Sequence, residues 1–192
     1  LMAGKENRVR IIGGQWRGRK IGFPNVEGLR PTTDPIRETL FNWLQPYLSG
    51  ATCLDLYAGS GALGFEAASR SAERVLMVEK DVIIIKSLRY NKDLIKADNV
   101  QLMHRSAMDF LSDKPKSTDP TFDVVFLDPP FKHNSLPECT KRLEESGLLA
   151  DDALIYIECE RKLDLDFLPI NWRQHRSKTN GQVSYYLFQR ES

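Results

Sequence analysis

The stretch FLDPPF, residues 126 to 131, closes the apolar, β-branched run from Phe122 to Leu127 with a carboxylate, two prolines and an aromatic ring. Asp-Pro-Pro is also a common way to stop a strand and open a turn. The run before it, however, is nearly continuous in apolar residues, which suits a strand covered on both faces of a parallel α/β sheet. In such sheets ligands lie just outside the carboxyl ends of the strands, where Asp128, Pro129, Pro130 and Phe131 would stand. One chemistry uses this set well. An exocyclic amino group conjugated to a base ring is a poor nucleophile, and it needs acceptors for its protons. The Asp128 side chain and the Pro129 carbonyl supply two acceptors, and the prolines hold that carbonyl in place without adding competing donors. Phe131 offers a stacking face worth about 1–3 kcal/mol.

A second constellation lies in LDLYAGSGALGFEA, residues 54 to 67, where Gly59, Gly61 and Gly64 form G-x-G-x-x-G. A glycine-rich turn can serve packing alone. Here it follows a strand and opens a helix, and Glu79 lies twenty residues past Gly59 at the end of the next strand, where an acid takes ribose hydroxyls. An adenosine-type cofactor follows, and Asp55 indicates which one. A dinucleotide would place its pyrophosphate at the helix N-terminus, and a carboxylate aimed there would repel it. S-adenosylmethionine has no phosphate and carries an ammonium and a sulfonium, so Asp55 favours it over NAD. Ala58 lines the same loop.

These residues need elements to hold them. Residues 8 to 23 read as one or two short β-hairpins turning at Gly13, Gly14 and Gly18. Asp34 is an N-cap candidate before Pro35, with Ile36, Leu40, Trp43, Leu44 and Tyr47 at helical spacing. Alternation follows: strand 51–57, helix 62–70, strand 74–79, helix 82–96, strand 99–103, helix 107–112, strand 122–127, helix 136–146 and strand 153–159. Two strands, about 172–178 and 182–189, flank Asn180-Gly181, a strong hairpin signal. The expected fold is α/β and doubly wound: a mostly parallel seven-stranded sheet, a C-terminal antiparallel hairpin and a small N-terminal β-hairpin extension.

The chain has 192 residues, 41% of them hydrophobic, enough for one main domain. Its net charge of +1 hides an asymmetry. Residues 1–30 hold seven Lys or Arg (Lys5, Arg8, Arg10, Arg17, Arg19, Lys20, Arg30) against Glu6 and Glu27, giving +5 and leaving −4 for the remainder. The expected division is a basic arm over 1–33 that meets a polyanion and a catalytic domain over 34–192. Removing residues 1–24 is expected to leave the core folded, because the parallel sheet begins near Ala51. The opposing reading makes the hairpin a structural cover. Cys53, Cys139 and Cys159 lack metal-ligand spacing and suit free thiols in a reducing cytoplasm. His104, His133 and His175 show no partner pattern. No segment approaches the length of a membrane span.

The pairing of DLYAGSGALGFEA with VVFLDPPF resembles the class I S-adenosylmethionine-dependent amino-methyltransferases. The leader VRIIGGQWRGRKI, the stretch LRPTTDPIRETLFNWL (Leu29 to Leu44) and the tail GQVSYYLFQR are similar to the bacterial RsmD-type enzymes, and the similarity spans nearly the whole chain. The resemblance implies a Rossmann-like fold and transfer of methyl from S-adenosylmethionine to guanine N2. The implied partner is 16S rRNA in the assembled or assembling small ribosomal subunit; from the residues themselves no membrane and no metal are expected, and a monomer is the expected state. The resemblance further implies donor contacts at Asp55, Ala58, Gly59, Gly61, Gly64 and Glu79, and adenine contacts near Ser106, Ala107 and Met108. Related enzymes often carry an acid where Ser106 stands, so backbone groups or Asp109 would serve there. Arg8, Arg10, Trp16, Arg17, Arg19, Lys20, Arg30, Thr33 and Arg37 would face the RNA. A DNA adenine-N6 methyltransferase would use a similar tetrad but needs a target-recognition domain. An NAD-dependent oxidoreductase would share only the glycine loop, and a non-catalytic RNA-binding assembly factor would need neither motif intact.

Overall fold

The computed structural model describes residues 7–130 and 134–192. Phe131, assigned above to the tetrad, lies outside them. In chain order the elements are β1 (Asn7–Arg10), β2 (Lys20–Phe23), α1 (Asp34–Leu48), β3 (Thr52–Asp55), α2 (Ala62–Ser69), β4 (Arg74–Glu79) and α3 (Val82–Ile95). There follow β5 (Val100–His104), α4 (Ala107–Ser112), β6 (Phe122–Leu127), α5 (Leu136–Glu145), β7 (Leu149–Glu160), β8 (Trp172–Asn180) and β9 (Val183–Arg190). Seven strands form one sheet in the order β5-β4-β3-β6-β7-β9-β8. The first five in that order are parallel, and β9 and β8 add antiparallel. Strand order reverses between β3 and β6, so the crevice above their carboxyl ends is the place for a ligand.

The strands read as apolar runs because both faces are covered. One face packs Cys53, Val75, Met77, Val124, Phe126 and Tyr156 against α1, α2 and α3; the other packs Leu54, Val78, Val125, Leu127 and Ile155 against α4 and α5. Every residue of α2 is buried, which explains why its sequence shows no amphipathic stripe.

Many element ends shift by a residue or two, and three differences from the expectation have a physical reason. Thr33, not Asp34, is the N-cap residue of α1, and its side chain makes no cap bond. The Asp34 carboxylate is drawn instead to Arg37, one turn on, and to Arg10. Strand β7 begins at Leu149, where Phe122 on β6 pairs with it before a register shift. In the hairpin Asn180 pairs with Val183, so the turn is Gly181-Gln182, with Gly181 at φ 61°. Glycine at the first central position is the II′ pattern, whose twist matches the strands.

The N-terminal hairpin is part of the core. Val9, Ile11, Trp16 and Ile21 are buried in the same cluster as α1, α2 and the sheet. Glu66, fully buried on α2, ties it down by accepting from the Ile12 and Gly13 amides at 2.9 and 2.8 Å and pairing with Arg70 at 2.8 Å and Arg37 at 3.4 Å. The Asn91 amide on α3 donates to the Gly22 carbonyl at 2.7 Å. Removing residues 1–24 would therefore uncover the core, contrary to the expectation of an independent arm.

Candidate active site

Side chains alternate along a strand, so residues two beyond Cys53, Met77, Phe126 and Tyr156 project from the same face as these do. Those residues are Asp55, Glu79, Asp128 and Glu158, four acids at or just past the carboxyl ends of four adjacent strands, β4, β3, β6 and β7. The pairing of Leu127 with Ile157 sets Asp128 beside Glu158.

Asp55 is 1% exposed, and neither carboxylate oxygen has a hydrogen-bond partner among the described residues. Burial pushes its pKa up to about 7; the nearby backbone amides of Gly64 and Tyr57 oppose the rise, and Glu79 adds to it. A buried acid without a partner costs stability unless something cationic meets it. In the loop beside it two glycines are required by the packing of α2 on the sheet. Gly61 caps α2 at φ 82°, and a Cβ there would stand 2.6 Å from the Phe65 ring; a Cβ on Gly64 would stand 2.9 Å from Met77. The Ala58 amide donates to the Val78 carbonyl at 3.1 Å. The Glu79 carboxylate accepts from the Gly59 amide at 3.0 Å and the Asp81 amide at 2.9 Å, which fixes it at the loop mouth. These features fit a phosphate-free, cationic adenosine donor, with Asp55 for its positive end and Glu79 for its ribose. Ser106 caps α4, its hydroxyl oxygen accepting from the Asp109 amide at 3.1 Å. Ala107 is buried and Met108 half-buried beside it.

Asp128 keeps an edge open to solvent, with Pro129 buried and Pro130 exposed after it. Its carboxyl is raised well above the usual range by burial, then by Glu158 and Asp55, with Thr32 acting in the opposite direction. Thr32 Oγ1 stands 3.3 Å from Asp128 Oδ2 and 3.2 Å from Glu158 Oε2, and the Tyr156 hydroxyl donates to Glu158 Oε2 at 2.8 Å. Tyr156 is held by ring contacts with Phe126 and Tyr185. Sequence reasoning missed Thr32, Tyr156, Glu158 and Glu66. A signal existed for Glu158, since ALIYIEC ends its apolar run in an acid as CLD, RVLMVE and VVFLD do.

The basic residues divide. Arg8, Arg10 and Lys20 line a groove of about 380 Å³ with Val9, Pro31, Thr32, Thr33 and Asp34, and through Thr32 the groove adjoins Asp128. Arg17 and Arg30 are exposed, and Arg19 is exposed with its guanidinium donating to the Leu94 carbonyl at 3.3 Å. Two assignments are corrected. Arg37 is 1% exposed, its guanidinium spent on the Thr32 and Arg10 carbonyls, Asp34 and Glu66, so no phosphate can reach it. Trp16 is buried in the core, and its backbone amide donates to Ser69 Oγ at 3.0 Å.

A doubly wound seven-stranded sheet with an antiparallel final hairpin, a glycine loop between β3 and α2, and an acid-proline-proline turn after β6 define a Rossmann-like class I methyltransferase. The chain belongs to the family described as Conserved hypothetical protein 95, the RsmD-type methyltransferases, whose model matches residues 9–189. Ribosomal RNA small subunit methyltransferase D of Escherichia coli strain K12 is 49% identical over 185 residues, covering 96% of this chain and 91% of that protein. Its namesake from Haemophilus influenzae is 46% identical over 186 residues, covering 96% and 95%. A solved structure described as a putative methyltransferase from Escherichia coli matches with a TM-score of 0.86 at 49% identity, over 97% of this chain and 99% of that one. Among the described residues no helix is long and apolar enough to cross a membrane, and no group of acids, His and Cys could hold a metal.

Proposed function

We propose that the protein transfers a methyl group from S-adenosylmethionine to the exocyclic N2 of a guanine in 16S rRNA of the small ribosomal subunit. The observation that carries the reading is the juxtaposition of an orphaned buried carboxylate, Asp55, with Asp128 at the end of the neighbouring strand. The relatives' names support rRNA as the substrate. When bound, the donor supplies an electrophilic methyl on a sulfonium that departs as a neutral thioether. The chain's residues do the rest. Asp55 and the glycine loop seat the donor, Glu79 takes its ribose, and Ser106, Ala107 and Met108 flank its adenine. Asp128 accepts a hydrogen bond from the target amino group and holds the nitrogen in line for attack, so that catalysis rests on positioning. Arg8, Arg10, Arg17, Arg19, Lys20 and Arg30, with Thr33, hold phosphates, which position the RNA without specifying it.

Labelled methyl transfer to small subunits and to naked 16S rRNA, both lacking modifications, followed by nucleoside analysis, tests this reading. N2-methylguanine is the expected product. Label on any atom other than guanine N2, or no transfer to either substrate, would overturn it.

A further inference from the structure

The contact of Thr32 with two carboxyl groups has a consequence for where protons sit. A hydroxyl has one proton to donate, so Thr32 Oγ1 can give a hydrogen bond to only one of Asp128 and Glu158 and must accept from the other. Both contacts are full hydrogen bonds when one of the two acids is protonated, and the burial that raises both carboxyl groups favours that state. Glu158 receives the Tyr156 hydroxyl at 2.8 Å and so is the better-solvated anion. We infer that Asp128 works as a neutral acid whose Oδ2–H donates to Thr32, that Thr32 donates to an ionised Glu158, and that this chain carries the reaction's surplus proton away from the target nitrogen.

The inference rests on the amino-methyl transfer proposed above, and its steps balance. The amino lone pair forms the N–C bond while the C–S electrons leave with sulfur, so the nitrogen becomes cationic. An N–H proton then passes to Asp128 Oδ1 as the Oδ2 proton moves to Thr32 Oγ1, and the threonine's own proton moves to Glu158 Oε2. The product nitrogen ends neutral, Asp128 and Thr32 regain their starting protonation, and Glu158 holds the proton until water removes it. Asp128 touches the substrate; Thr32 and Glu158 act through it as positioning residues. The oxygen contacts of 3.2 and 3.3 Å are long, as catalytic hydrogen bonds often are before substrate binds.

The directions of titration agree with this assignment. Burial, then the neighbouring acids, raises Asp128 strongly; burial raises Glu158 while Tyr156 and Thr32 counteract it. The other groups facing the pair are Asp55 from β3, Tyr156 from β7, Tyr185 from β9, and Arg37 from α1, which reaches the Thr32 carbonyl at 3.0 Å; Cys159 of β7 adjoins Glu158 from the opposite face of the sheet. Of these, the phenol of Tyr156 is raised well above its ordinary value by burial and then by Glu158, so it remains a donor.

The test is the pH dependence of turnover with unmodified subunits for the wild type, Thr32→Val, Thr32→Ser, Glu158→Gln and Asp128→Asn, with donor binding and melting temperature measured on each. The wild type should lose turnover as the pH falls and Glu158 takes up a proton. Thr32→Val and Glu158→Gln should lower kcat by roughly 10²-fold, abolish that acid limb and leave donor affinity unchanged, while Thr32→Ser recovers most of the loss. Infrared spectra of the uncomplexed protein at pH 7 should show a carboxylic-acid C=O band that Asp128→Asn diminishes, a readout independent of turnover. Wild-type kcat and acid limb in Thr32→Val and Glu158→Gln, lowered turnover with the limb retained, or an infrared band unmoved by Asp128→Asn would overturn the relay. Absence of transfer by the wild type would remove the underlying activity, and the relay with it.

Discussion

Asp55, the acid proposed to seat the donor, is buried at a cost to the stability of the fold. Its carboxyl is raised from 3.8 to about 7, so in the folded protein it stays protonated over a range where the unfolded chain ionises. The folded state then binds more protons than the unfolded one between about pH 4 and pH 7, and stability contributed by this group is lost as the pH rises through that window. The loss is on the order of a few kcal/mol. Asp55→Asn should therefore melt higher than the wild type above pH 7, and the two should converge near pH 4. The same substitution should weaken S-adenosylmethionine binding by about 1–3 kcal/mol. For the wild type, calorimetric affinity should fall by up to about tenfold per pH unit below 7, since binding a cation requires the ionised acid. Equal melting of both proteins at pH 8 would show that Asp55 carries no such cost. At the neighbouring strand end, Asp128→Ala should lose orders of magnitude in turnover while donor affinity stays within several-fold, and near-normal turnover would remove Asp128 from the reaction.

At the scale of elements, the segment between β2 and α1 joins the parts of the site. Leu29 lies over Gly59, Thr32 reaches Asp128 and Glu158, and Arg37, one turn into α1, binds the Thr32 carbonyl. Arg37 also couples α1 to the hairpin through the Arg10 carbonyl and to α2 through Glu66. Removing one partner from a buried ionic network costs about 3–5 kcal/mol, which for a chain of this size lowers the melting temperature by roughly 10 °C. Arg37→Ala is expected to show that loss while the salt dependence of RNA binding keeps its slope. A flattened slope with unchanged melting would return Arg37 to the RNA surface.

For the whole molecule, the charge asymmetry and the fold carry separate consequences. Arg8, Arg10 and Lys20 gather on one groove that leads to Asp128, and residues 1–30 together carry +5 against −4 for residues 31–192. Neutralising two or three exposed cations among Arg8, Arg10, Arg17, Arg19 and Lys20 should flatten the salt dependence of RNA binding, by about 0.7–0.9 log units of slope for each phosphate left without its cation, with donor binding untouched. An unchanged slope would detach the groove from the RNA. Deleting residues 1–24 is expected to destabilise the whole domain, because Val9, Ile11, Trp16 and Ile21 leave the core together and Glu66 loses two amide donors. Melting of the truncated protein at the wild-type temperature would show the hairpin to be dispensable after all.

Much of the architecture was legible in the amino-acid order because local physics writes it there. Apolar runs such as VVFL, a glycine loop between strand and helix, and Asn-Gly near the end mark strands, the crossover and the hairpin through periodicity and turn chemistry. Asp55, Glu79 and Asp128 stood out because a charge closing an apolar strand lies at the edge of a sheet where ligands bind. What a basic residue does is not written locally. Arg37 and Arg19 look alike in sequence, yet one is the hub of a buried network and the other is exposed, because only packing decides which cation finds Glu66 and two carbonyls within reach. Glu158 and Thr32 are 126 residues apart. The parallel register of β6 and β7 brings Glu158 beside Asp128, and the course of the chain over the glycine loop lays Thr32 between them. That proximity comes from strand order and chain path, which no local pattern encodes.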